Sequence, residues 1–173
     1  MFIRLNKLSR QMTIASGLAL ASVSSAFAAS DNANATATVI APITIVKASD
    51  LLFGNIIAGA GGTISVDAAD SVSLGGGVTV PPTQTGTRAA AVFNVTGEGT
   101  NTYAITLPST DQTITHTDTV TTMLANAFVS NPSGTGALTA GAQTLKVGAT
   151  LNVASAQLAG VYSGTFSVTV DYN

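Results

Sequence analysis

The chain has 173 residues, no cysteine, and charged side chains at only 8% of positions, against about 25% in ordinary globular chains. Three of its six basic residues, Arg4, Lys7 and Arg10, sit at the extreme N-terminus, and Lys47, Arg88 and Lys146 are scattered. That leaves no basic stripe for nucleic acid or an anionic membrane surface, and no thiols for disulfides or a thiolate metal site.

Residues 1–28 have the layout of a signal peptide. A basic start leads into an apolar stretch from Met12 to about Val23, then Ala26-Phe27-Ala28, a small-x-small cleavage signal. The apolar part is shorter than the roughly 20 residues that span a bilayer, and no later stretch reaches that length. Cleavage after Ala28 would leave residues 29–173 as one domain, in which three cations against eight acids give a net charge of −5. The expected location is outside the cytoplasm: periplasm, cell surface or extracellular space.

Period-two alternation dominates this expected mature chain. Residues 35–45 place Ala35, Ala37, Val39, Ala41, Ile43 and Ile45 on one face and threonines on the other. Pro42 cannot donate to a ladder, so this strand is expected at a sheet edge, beside the last strand of the chain. Residues 51–57 form a second apolar run, followed by a Gly59-Ala60-Gly61-Gly62 turn. Short strands are expected at 63–66, 71–74 and 78–80, with 71–88 forming a Gly-, Pro- and Thr-rich exposed excursion. Residues 89–96 and 102–107, joined through Gly97-Glu98-Gly99, read as a hairpin. Further strands are expected at 113–117, 123–129 and 145–153. The last run is the most regular, with Tyr162, Gly164, Phe166, Val168, Val170 and Tyr172 on one face. Twenty-six threonines suit such strands, methyl inward and hydroxyl outward. The expected fold class is all-β: a two-sheet, immunoglobulin-like sandwich.

Little in the sequence points to catalysis. The single histidine, His116, lies in a Thr-rich strand and reads as an exposed surface residue. Asp67 and Asp70 have few oxygen ligands nearby and read as a solvated turn, since calcium takes 6–8. Gly75-Gly76-Gly77 lacks the lysine and helix of a phosphate loop. An activated serine would need a base and an orienting group beside it. No catalytic, cofactor-binding or metal residue is assigned, and an enzyme is not expected.

The C-terminal run from Gly160 to Asn173 resembles the closing strand of subunits assembled by the chaperone–usher pathway, including the spore-coat-U-like group. Gly160, Phe166, Val168, Val170 and Tyr172 match that pattern. The resemblance implies a pilin-like sandwich, copies of itself or related subunits as partners, and a periplasmic chaperone. The cysteine pair of most such pilins is missing. Residues 35–45, Leu52-Phe53-Gly54, Phe93-x-Val95-x-Gly97 and Tyr103-x-Ile105-x-Leu107-Pro108, with the terminal strand, are similar to a family of exported bacterial proteins, domain of unknown function 4402.

Two functions follow as expectations. The first is a subunit of a surface fibre or layer, built by β-strand addition. Val39, Ile43 and Ile45 are then expected in a neighbour's groove, and Gly160, Phe166, Val168, Val170 and Tyr172 in the pairing strand. The second is a self-contained periplasmic or secreted binding domain, with ligands at the 71–88 excursion.

Overall fold

A computed structural model describes residues 28–83 and 86–173. The expected signal peptide, apart from Ala28, lies outside the described residues. The chain divides at Ala37/Thr38 into two units. Residues 28–37 of the first are exposed and hold no strand. The strands all belong to the second, Thr38–Asn173.

Every regular element of this unit is a strand: β1 Thr44–Ser49, β2 Gly62–Val66, β3 Val72–Gly76, β4 Ala91–Thr96, β5 Thr102–Thr106, β6 Gln112–His116, β7 Thr122–Asn131, β8 Thr135–Ala137, β9 Ala142–Val153, β10 Tyr162–Ser163 and β11 Thr169–Tyr172. The large sheet runs β1-β4-β9-β7-β6-β10, with the β2–β3 hairpin branching from β9. The small sheet is β11-β5-β8. All pairings are antiparallel. The expected all-β, two-sheet class holds.

β9 is the spine. Its alternation buries Leu145, Val147, Leu151 and Val153 on one face. Its first half pairs with β4, and its second half pairs with β2 on the same edge. The fork lies at Gly148, where a Cβ would run into the backbone of Val66 and Asp67. Glycine is the side chain that lets the two neighbours part there.

Two apolar clusters fill the sandwich. One gathers Val95, Tyr103, Leu138, Leu145, Val147 and Val170, and the other gathers Ile64, Val78, Met123, Ala125, Leu151 and Val153. Phe128 packs against both. It reaches the interior because β7 is irregular: the register against β9 shifts between Asn126 and Val129, and Ala127 has φ 48°. Inward positions change from odd (Met123, Ala125) to even (Phe128), as a bulge dictates.

Several expectations need correction. β4 and β5 are not a hairpin; they belong to different sheets, because β4 pairs with β1 and β9 while β5 pairs with β11 and β8. The terminal run is not one strand but two, β10 in the large sheet and β11 in the small one. Residues 35–43 hold no strand, and Val39 is 95% exposed. Strand structure starts at Thr44, just past Pro42, and pairs with β4 rather than with the terminal strand. The 71–88 segment is less of an excursion than expected, since β3 pairs with β2 and Val78 is buried. Residues 51–57 and 78–80 contribute only isolated bridges, Leu52 with Ala89 and Ile57 with Thr79.

Candidate functional site

The sheet switch of the terminal run creates a concavity. β10 pairs along one side with β6, Tyr162 opposite His116 and Ser163 opposite Thr115. β11 pairs with β5, Tyr172 opposite Tyr103. Between them, residues 164–168 have no ladder partner among the described residues. Facing this run, residues 53–56 likewise lie between two isolated bridges, outside any ladder.

A cleft of about 850 Å³ opens between these two walls. Its floor is apolar: Ile114 from β6, Met123, Ala125 and Phe128 from β7, and Leu151 from β9. Phe53 and Ile56 line one wall and Tyr162 and Phe166 the other, with Lys47 and Asp50, an exposed ion pair, at the rim. An apolar floor flanked by a run outside both sheets, residues 164–168, leaves room for an added extended segment.

The Gly160–Tyr162 wall is held by His116. Its Nδ1 accepts the Asp118 amide hydrogen at 3.1 Å, and its ring lies 4.9 Å from that of Tyr162. The His116 side chain is only 10% exposed, which corrects the reading of it as a surface residue. A Cβ on Gly160 would overlap His116 Nε2, so the imidazole accounts for glycine at that position. Tyr162 donates its hydroxyl hydrogen to the Leu158 carbonyl at 2.7 Å and accepts from Gln157 Nε2 at 2.9 Å. Behind His116, the Asp118 carboxylate accepts from the Thr121 hydroxyl and from the Val120 and Thr121 amides. Those hydrogen bonds, the Thr121 hydroxyl first, hold its pKa well below the usual carboxylate range.

The residues assigned to strand pairing from sequence do not form one site. Ile43, Ile45, Phe166, Val168 and Tyr172 all pack, half-buried, against the chain's own cluster around Val95 and Leu145, and Val170 belongs to that cluster. Gly160 lines the cleft. Val39 touches none of this. Phe53, Ile56, Met123 and Phe128 were not singled out as site residues in the sequence. Leu52-Phe53-Gly54 did appear as a family motif, the one signal that could have drawn attention to that wall.

Other acidic residues serve turns. Asp67 Oδ1 accepts from the Ala69 and Ser71 amides. Asp70 pairs with Lys146 and accepts from the Ala90 amide, which together lower its pKa.

Comparison with known families matches residues 43–172 to a single description, domain of unknown function (DUF4402). The chain belongs to this family. Neither the curated proteins nor the solved structures include a significant match. For this DUF4402 chain, the matched span contains the eleven strands found among the described residues and the cleft, and begins at Ile43, which packs on the core.

Proposed function

We propose that this DUF4402 chain is an exported structural subunit that assembles by β-strand addition, the N-terminal segment of one copy filling the cleft of the next. The observation that supports this most directly is the apolar-floored cleft between residues 53–56 and the terminal run, in which residues 164–168 lie outside both sheets. The donor is residues 29–40. They are exposed, lie outside any sheet, and alternate Ala33, Ala35, Ala37 and Val39 with polar residues. Ile43 and Ile45 are occupied in the chain's own core, so the donated side chains end at Val39 and Ile40. Twelve extended residues span roughly 40 Å, and the main-chain bonds of the added strand supply most of the affinity.

A self-contained binding domain is the second reading. It is favoured by the volume of the cleft, which falls in the range of about 300–1,000 Å³ common for small-molecule pockets.

One experiment separates them. The chain starting at Ala29 and a version starting at Ile43 are compared by size-exclusion chromatography, and a synthetic peptide of residues 29–42 is added to the shortened form. Strand addition predicts multimers of the longer form, monomers of the shorter, and peptide-dependent hydrogen-exchange protection at residues 53–56 and 160–166. Monomers in both cases, with no protection by the peptide, would favour the binding domain. N-terminal sequencing of material outside the cytoplasm should find Ala29 first.

A further inference from the structure

The N-terminal segment joins the folded unit at a point defined by three hydrogen bonds. Tyr172, the penultimate residue, donates its hydroxyl hydrogen to the Ala41 carbonyl at 3.0 Å. The same hydroxyl oxygen accepts the Glu98 amide hydrogen at 2.6 Å. Glu98 in turn accepts the Ala41 amide hydrogen on Oε2 at 3.1 Å. Both polar groups of the Ala41 backbone are therefore held, one by a residue of the terminal strand and one by the turn after β4. Pro42 follows, and Ile43 is already packed against the core.

A second observation concerns Gly97. A Cβ there would overlap the Tyr172 hydroxyl oxygen and crowd Leu138 Cδ1. The backbone of Gly97 is open to other residues by conformation, since it is not among the positive-φ glycines. It is the close approach of the phenol that requires the missing side chain.

We infer that Tyr172, Glu98 and Gly97 form a clamp on Ala41 that couples the exit of the N-terminal segment to the docking of the C-terminal strand. Tyr172 reaches Ala41 only while β11 is paired with β5, where it lies opposite Tyr103. A chain whose last strand is undocked loses the Tyr172 bonds, and with them the anchor on the Glu98 backbone that aims the carboxylate at Ala41. Tyr172 is thus a positioning residue for the Ala41 backbone. The inference goes beyond strand addition and holds for an isolated monomer, whatever the segment later does.

The test is site-resolved amide hydrogen exchange on the monomeric chain. Tyr172→Phe keeps the ring and removes the hydroxyl. The Ala41 and Glu98 amides should then exchange about three- to ten-fold faster, the scale of one lost hydrogen bond, while the β5–β11 ladder amides stay within about two-fold. Gly97→Ala should loosen the same two amides by displacing the hydroxyl. Glu98→Ala should free the Ala41 amide alone, and Glu98→Gln, whose amide oxygen still accepts, should restore its protection. Unchanged exchange at Ala41 in Tyr172→Phe would overturn the clamp. So would equal acceleration throughout the β5–β11 ladder, which would mark Tyr172 as an ordinary packing residue.

Discussion

Phe166 stands edge-on to Phe93, their ring centroids 6.3 Å apart and their planes at 80°. Phe93 comes from β4 in the large sheet, and Phe166 from the unladdered link between β10 and β11. Phe128, beyond the bulge in β7, completes the cluster 5.0 Å from Phe166 on its other side. Edge-to-face and tilted pairs of this kind contribute about 0.5–1.5 kcal/mol each beyond area burial. The link has no ladder to hold it, so its position depends on this ring.

Phe166→Ala should therefore destabilise the fold by about 2–4 kcal/mol, somewhat below a fully buried phenylalanine because the side chain is only partly buried. Ser167, which points the other way and is exposed, should tolerate alanine within about 0.5 kcal/mol. Denaturant melts of the two variants check this. Equal losses would mean that the alternation has the wrong phase.

At the other end of the same wall, His116→Ala should cost about 1–2 kcal/mol, through the lost contact with Tyr162 and the unpaired Asp118 amide. Gly160→Ala should destabilise as well, because its Cβ overlaps the imidazole. Part of that cost should vanish when His116 is alanine too, leaving only the strain of φ 150°. A double-mutant cycle measures the coupling, and strictly additive effects would contradict the overlap.

Acid should weaken the fold through Asp118 and Asp70. Both carboxyls have folded-state pKa values below their unfolded ones, so their contribution is present above the unfolded value of about 3.9 and is lost as pH falls toward the folded values. Stability should change little through these groups between pH 7 and 5 and drop below about pH 4. In Asp118→Asn, whose Oδ1 still accepts the Val120 and Thr121 amides but which no longer titrates, that drop should be shallower. Urea midpoints across the range test it, and identical acid profiles would show that other carboxyls dominate.

Ile43→Asp and Val39→Asp should part company. Ile43 packs on the chain's own core, so a charge there should lower the melting temperature of the monomer itself. Val39 is 95% exposed, so its replacement should leave the monomer's melting temperature unchanged and, under strand addition, abolish multimers. Sedimentation and thermal melts of the two variants read both properties. Association of Val39→Asp equal to that of the unmodified chain would count against strand addition through this residue.

Much of the local structure was legible in the sequence. The alternation over 161–172 holds except at Gly164, which is exposed: Tyr162, Phe166, Val168, Val170 and Tyr172 are all more buried than their neighbours. The long β9 pattern was readable for the same reason, since a two-residue period reports which face a side chain takes and nothing else is needed. The Phe128 flip was not, because a bulge adds a residue without leaving a mark on composition.

Partner choice lay beyond that local code. Gly97-Glu98-Gly99 looks like a hairpin turn, yet β4 and β5 each find better partners far along the chain, β9 and β11. The cleft exists because the terminal run leaves one sheet and enters the other between Ser163 and Thr169, while residues 53–56 opposite stay outside both. Side-chain facing is set by covalent geometry within a strand, so the sequence by itself determined it. Ladder partners are set by competition among backbone groups distant in sequence, and only the tertiary structure decided which edges were left unpaired.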